Sequence, residues 1–376
     1  MAGNTNLRAA NKAKKDEFYT QLVDIENELK HYKEHFKGKT VLCNCDDPRV
    51  SNFFHYFSYN FEKLGLKKLI TTCYKSQYSE LFSKNDSERA IWLEYNGDKN
   101  GNHIPDPEEI GINYLKGDGD FRSKECIELL KQADIVVTNP PFSLLREYIE
   151  QMISYDKKFL IIGNVNAISY KEIFSLIRDN KLWLGASIHS GDREFGVPND
   201  YPLNAAGCRQ DANGNKFIRV KGVRWFTNLD YKERHEDLIL YKAYNNEDYK
   251  HYENFDAINV DKTADIPLDY DGIMGVPITF MDKYNPDQFE IIGLGIASLG
   301  LECGVQPYKP EHRKYRKEIQ KRGVVDGDLY MMIDGVVTVP YARILIRRRQ
   351  QIQQQISEQN PLRLAAEPET TFNTNK

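Results

Sequence analysis

Short apolar runs alternating with amphipathic stretches, from about residue 16 to residue 185, constrain this chain more than any other feature. Thr40 to Asn44, Lys67 to Tyr74, Ile112 to Lys116, Ile135 to Thr138 and Phe159 to Gly163 have the composition of strands. Between them apolar residues recur at helical spacing. Leu22, Ile25, Leu29, Tyr32 and Phe36 mark one helix over 21–36, and Phe53, Phe54, Phe57 and Phe61 another over 50–64. Ser123 to Lys131, Leu144 to Ile153 and Ile168 to Asn180 read as further helices, and Trp183-Leu-Gly as a further strand. Strands separated by helices of this length are joined by crossovers, which predicts a parallel sheet covered on both faces. Open sheets of this class bind ligands at the carboxyl ends of their strands, so the residues just after each strand are where chemistry is expected.

Asn139-Pro140-Pro141-Phe142 follows the run Ala133 to Thr138. Pro lacks an N–H but keeps its C=O, so the Asn139 side chain and the Pro140 carbonyl can both accept from an exocyclic NH2. Two acceptors match two donor hydrogens. Held in this way, the nitrogen directs its lone pair at a methyl donor, while Phe142 can stack on the flat base. The four residues are the candidate catalytic set. The tetrapeptide resembles the signature of amino-methyltransferases acting on DNA adenine, DNA cytosine, ribosomal RNA or protein glutamine, and does not choose among them.

Composition narrows the setting. With 40% hydrophobic and 28% charged residues the chain has the makeup of a soluble globular protein. No apolar run approaches the ~20 residues that cross a bilayer, and the polar start lacks a signal-peptide core, so no membrane contact and a cytoplasmic location are expected. Six cysteines at 43, 45, 73, 126, 208 and 303 show no zinc spacing, which predicts reduced thiols and no metal site. The formal net charge is −4, yet Lys309 to Arg349 holds eleven Lys or Arg against five acids, a net of +6. Such a segment suits phosphate contact.

Three more segments fall at the same predicted sheet edge: Asp16-Glu-Phe-Tyr-Thr-Gln, Asn44-Cys-Asp-Asp-Pro-Arg-Val-Ser-Asn-Phe-Phe, and Gly117-Asp-Gly-Asp-Phe. In that order, with Asn139 to Phe142, they closely resemble the EcoRI-type DNA adenine-N6 methyltransferases, from about Lys14 to Phe280. The resemblance implies an α/β fold, a Rossmann-like seven-stranded sheet dependent on S-adenosylmethionine, followed by a loop-rich target-recognition domain. It implies double-stranded DNA as partner, no obligate protein partner, and GAATTC as the first site to try. By motif, Phe18, Tyr19 and Thr20 would close over the methionine end of the cofactor. Cys45, Asp46, Asp47, Pro48 and Ser51 would form the cofactor loop. Asp120 and Phe121, with Asp118 as a weaker candidate, would hold the adenine of the cofactor, and Asn139 would border it.

Two departures stand out. The cofactor loop lacks the usual glycines, and Thr71-Thr72-Cys73-Tyr74 carries no acid at the end of the second strand, where relatives hold the ribose. The expected organisation is a flexible basic arm over 1–15, a catalytic domain over 16–185, a target-recognition region over 186–349 and a disordered tail over 350–376. Arg193, Arg209, Asn213, Arg219 and Arg224 are candidate base readers, because Arg pairs with guanine and Asn with adenine.

Overall fold

The computed structural model describes residues 18–45, 51–73, 90–102, 105, 109–197 and 207–349. The expected arm and tail, and the candidates Asp46, Asp47 and Pro48, lie outside the described residues.

The main sheet is built on β2 (Thr40–Asn44), β3 (Lys68–Thr72), β6 (Ile135–Thr138) and β7 (Lys158–Asn164), which pair in parallel in the order β3, β2, β6, β7. Every residue of β2 and β6 is buried, so both faces are covered, as a run of Val, Ile and Leu without polar alternation demands. On one face Leu42, Ile70, Val136 and Ile161 pack with α4 (Lys124–Gln132), α5 (Leu145–Ser154) and α6 (Lys171–Arg178). On the other, Val41, Cys43, Val137 and Ile162 pack with α1 (Leu22–Leu29) and α2 (Asn52–Tyr59). Local chemistry sets the helix ends. Ser123 caps α4 by accepting from the Cys126 N–H at 3.2 Å, and Gly65 ends the short α3 (Phe61–Leu64) at φ +61°.

The described sheet has eight strands rather than seven. β4 (Ile91–Tyr95) runs antiparallel to β3, and β5 (Gly111–Tyr114) lies at the edge beyond it. The strand expected over 112–116 is therefore not the neighbour of β3. At the other end β8 (Trp183–Leu184) pairs not with β7 but with β12 (Val223–Thr227), which is inserted antiparallel between them. β12 comes from beyond residue 185, so the main sheet takes in chain from the region expected to be separate. Its five residues are all buried, with Trp225 opposite Ile162.

The rest of the chain joins the sheet in two ways. β9 (Asp192–Val197), β10 (Cys208–Gln210) and β11 (Lys216–Lys221) form an antiparallel ribbon whose edge strand is β1 (Tyr19–Thr20). Phe195, Val197, Ile218 and Val220 of the ribbon pack into the core on the α1–α2 face. A second sheet, β13 (Ile258–Asn259), β14 (Met274–Pro277), β18 (Arg343–Arg348) and β15 (Phe289–Leu294), shares a core with the α4–α6 face through Met274, Phe280, Phe289 and Ile344. Beside it lie α7 (Ala297–Glu302), α8 (Pro310–Glu318) and a hairpin of β16 (Met331–Ile333) and β17 (Val336–Thr338).

Candidate functional site at the carboxyl edge of the sheet

The ends of β2 and β6 are locked together. Thr138 Oγ1 donates to the Asn44 carbonyl, and Tyr148 Oη of α5 donates to Asn44 Oδ1. Burial, with Cys45 close by, raises the Tyr148 phenol far above its ordinary value, so it stays protonated and acts as donor. The next residue, Asn139, is itself buried, and its Nδ2 donates to the Phe18 carbonyl at 2.5 Å. With the amide nitrogen so engaged, Oδ1 is the end turned away from Phe18. Pro140 is buried, and the Pro141 carbonyl accepts from Leu144 N–H at 2.9 Å, which starts the turn into α5. Phe142 sits edge-on to Phe18 at 5.8 Å and to Phe195 at 6.2 Å. Any stacking on a base must use the face those rings leave open.

Phe18, Tyr19 and Thr20 are brought beside the catalytic set. The Thr20 carbonyl accepts from Asn52 Nδ2 at 2.7 Å. Its hydroxyl is buried without a hydrogen-bond partner among the described residues, and a buried polar atom left in that state is costly unless a ligand satisfies it. Ser51 is buried at the N-cap of α2, where its carbonyl accepts from His55 N–H at 3.1 Å. Cys45 closes β2 at φ +86°, an uncommon backbone for a residue with a side chain.

The loop 117–121 arrives at the same edge. Glu125 accepts from the Lys116 and Gly117 N–H groups at 3.0 and 2.8 Å, and these bonds hold its carboxyl below the usual range. Gly119, at φ +79°, presses on the end of β3: a Cβ there would lie 2.1 Å from the Cys73 carbonyl oxygen. Only glycine fits. Asp118 Oδ1 accepts from Asp120 N–H at 3.0 Å. Both Asp120 oxygens are engaged by the Arg122 guanidinium, at 2.9 and 2.7 Å, and this pairing lowers the Asp120 pKa. Arg122 also bonds Glu147 at 2.9 Å and lies 5.1 Å over the Phe121 ring. An adenine stacking there would meet the guanidinium first. Phe121 packs against Tyr148 at 5.1 Å, so this loop and Asn139 are linked through Tyr148, Asn44 and Thr138. At the end of β3, where an acid is missing, the Thr71 hydroxyl is buried without a hydrogen-bond partner among the described residues, and the Thr72 hydroxyl is buried beside the Cys126 thiol.

Asn44, Tyr148, Asn52 and Phe195 belong to this constellation and were not among the sequence candidates. Asn44 and Asn52 stood inside a motif that could have marked them. Tyr148 and Phe195 look like core aromatics in any sequence.

The base-reader candidates separate. Arg224 is buried in β12, bidentate to Asp282 at 2.6 and 2.9 Å, and is a structural ion pair rather than a base reader. Arg209 is bonded to Glu194 and lies 4.4 Å over Phe217. Within the basic segment, Arg313 pairs with Asp326 and Arg316 donates to the Gly323 carbonyl, whereas Lys314, Lys317, Lys321 and Arg322 are exposed and carry no ion pair among the described residues. No metal-binding cluster and no helix able to cross a membrane occurs among the described residues.

Residues 6–349 match the family described as adenine-specific methyltransferase EcoRI. The chain is 50% identical to the Type II methyltransferase M.EcoRI of Escherichia coli over 350 residues, 93% of this chain and 98% of that protein. It is 40% identical to the Type II methyltransferase M.MgeORF184P of Mycoplasma genitalium, over 81% of this chain and 87% of that protein. With M.MpnI of Mycoplasma pneumoniae the identity is 37%, over 80% of this chain and 86% of that protein. No solved structure matches.

Proposed function

Because the chain belongs to the EcoRI family of adenine-specific methyltransferases, we propose that it methylates N6 of an adenine flipped out of duplex DNA, with GAATTC as the first sequence to test. The observation that carries the residue assignment is the bond from Asn139 Nδ2 to the Phe18 carbonyl. It leaves Asn139 Oδ1, together with the Pro140 carbonyl, to accept the two amino hydrogens. Those acceptors draw electron density onto the nitrogen and orient its lone pair, while Phe142 and Pro141 shape the pocket.

The donor is S-adenosylmethionine, which supplies an electrophilic methyl group carried on sulfur. The residues present fit it. The partnerless hydroxyl of Thr20, beside Phe18 and Tyr19, suits the methionine end, and the buried hydroxyls of Thr71 and Thr72 suit a ribose at the strand end that lacks an acid. The cradle of Gly119 against Cys73 holds Asp118, Asp120 and Phe121 at the sheet edge, which supports assigning them to the adenine, with Asp120 accepting through lone pairs that Arg122 does not use. Cys45, Asp46, Asp47, Pro48 and Ser51 are assigned to the loop between. The main sheet is read as the Rossmann-like methyltransferase sheet with β4 added. Without β4 seven strands remain, of which β12 alone runs against the rest. Target recognition is assigned to the ribbon and the C-terminal unit, and phosphate contact to the exposed cations of α8 and the turn after it.

The test is methyl transfer from labelled donor to a GAATTC duplex, to the same duplex already N6-methylated at its adenines, to RNA and to protein. Label on N6 of adenine in the first duplex alone is expected. Label on RNA or protein but never on duplex adenine would overturn the reading.

A further inference from the structure

Asn139 is not oriented by its own strand. The carbonyl that receives its Nδ2 belongs to Phe18, 121 residues away in sequence, and Phe18 opens the segment that becomes β1. That segment is fixed from three sides. Tyr19 and Thr20 pair with Gly196 and Phe195 of β9. The Thr20 carbonyl is held by Asn52 at the start of α2. The Phe18 ring lies 5.8 Å from both Phe142 and Phe195. Behind the ribbon, Glu28 of α1 accepts from the Ala186 and Ser187 N–H groups at 2.8 Å each and so fixes the chain that leads into β9.

The chemistry gives this arrangement a consequence. A primary amide has an acceptor end and a donor end, and an Asn139 turned over would face the target NH2 with its own NH2. Two donors would then oppose each other. The position of the Phe18 carbonyl decides between these states, and that position is set by the ribbon and by the first residue of α2.

We propose that Phe195 and Asn52 are positioning residues for Asn139: through β1 they hold the Phe18 carbonyl that turns the Asn139 amide oxygen toward the target amine. Neither touches the reacting atoms. This rests on the reading that Asn139 receives the amino group. It also makes the ribbon, which belongs to the half assigned to DNA recognition, part of what makes the catalytic amide competent.

The experiment compares Phe195→Ala, Phe195→Leu and Asn52→Ala with the parent in the full chain. Single-turnover methylation, cofactor and duplex affinities, and the fluorescence of 2-aminopurine placed at the target adenine are measured. A small misplacement of a reacting group can lower a rate on the order of 10²-fold, so Phe195→Ala should lose about 10- to 100-fold in single-turnover rate. Asn52→Ala should lose about fivefold or more by the same cause. Duplex affinity should stay within about threefold of the parent and the flipping signal should persist, and the rate is read at saturating cofactor because the strap also carries Thr20 of the proposed cofactor site. Phe195→Leu, which keeps most of the packing, should recover most of the rate. Phe195 is 1% exposed, so if its alanine variant does not fold, Asn52→Ala and Phe195→Leu decide. A parental rate in Asn52→Ala, or losses confined to affinity, would overturn the inference. Asn139→Ala separates the two ideas: a parental rate there removes Asn139 from the mechanism, and with it the assignment on which the strap rests. Loss of activity there, with Asn52 and Phe195 variants unaffected in rate, sinks only the strap.

Discussion

The two regions that follow β8 attach to opposite faces of the same sheet and carry different burdens. The ribbon of β9, β10 and β11 sits on the α1–α2 face and reaches the catalytic set through its edge partner β1: Phe18, the residue before β1, supplies the carbonyl that Asn139 bonds. The C-terminal unit sits on the α4–α6 face through an apolar core. It exposes Lys314, Lys317, Lys321 and Arg322, which carry no ion pair among the described residues. On the proposed assignment, one region would work through hydrogen-bond geometry, which is short-ranged and unforgiving, and the other through charge, which acts over a Debye length of about 8–10 Å and fades with salt. Disturbing the first should therefore strike the rate, and disturbing the second should strike affinity.

The sharpest way to break this contrast is Asn139→Ala. Loss of one preorganised contact to the reacting nitrogen should lower the methylation rate by on the order of 10²-fold or more, with cofactor affinity nearly unchanged by calorimetry. A rate within a few-fold of the parent would remove Asn139 from the mechanism. On the other side, replacing Lys314, Lys317, Lys321 and Arg322 by Glu should weaken duplex binding and flatten its salt dependence. Each lost phosphate contact removes about 0.9 from the log–log slope. The single-turnover rate at saturating DNA should not move, and a fall in that rate with an unchanged slope would erase the division of labour.

A third variant probes the edge between the regions. Asp120→Ala should weaken S-adenosylmethionine binding by about 1–3 kcal/mol, the cost of a buried donor left without its acceptor. It also frees Arg122, so unchanged affinity would show that the Asp120–Arg122 pair is purely structural.

The smallest effect concerns the joint between the main sheet and the C-terminal unit. His235 lies between Asp230, which follows β12, and Asp287, which precedes β15, at 2.9 and 2.6 Å. These bonds, Asp287 first, raise the His235 pKa above its ordinary 6.5. A raised histidine pKa stabilises the fold fully below the unfolded value and loses that contribution as pH rises through the folded value. The difference in melting temperature between the parent and His235→Gln should thus be largest near pH 6 and shrink toward pH 8–9. A difference that grows with pH would show that the histidine acts neutral. The pair is substantially exposed, so the effect should be small.

Much of the catalytic half was legible because its signals are local. The parallel core β3–β2–β6–β7, the helices between its strands and the placement of Asn139 at a strand end follow from runs and spacings a few residues long. The Gly117–Phe121 loop also reached the expected edge, although the close approach that requires glycine at 119 is to the Cys73 carbonyl and exists only in the folded chain. β4 was passed over although Ile91, Leu93 and Tyr95 alternate inward. Its short run stands next to polar sequence on both sides, and only pairing with β3 makes it a strand. Likewise β12 carries no mark that distinguishes a central strand of the main sheet from a strand in a separate domain.

By itself, then, the sequence determined the chemistry on offer: an amide and a proline carbonyl at the end of a buried strand, and clustered cations late in the chain. Tertiary structure decided which of these groups can act. Arg224 reads as a candidate base reader until Asp282 meets it in the core, and of the cations of α8 and the turn after it Arg313 is taken up by Asp326 and Arg316 by the Gly323 carbonyl. The orientation of Asn139 depends on a carbonyl brought across 121 residues. A backbone carbonyl is present at every residue, so its identity leaves no trace in the sequence, and only the pairing of β1 with β9 assigns the role to Phe18.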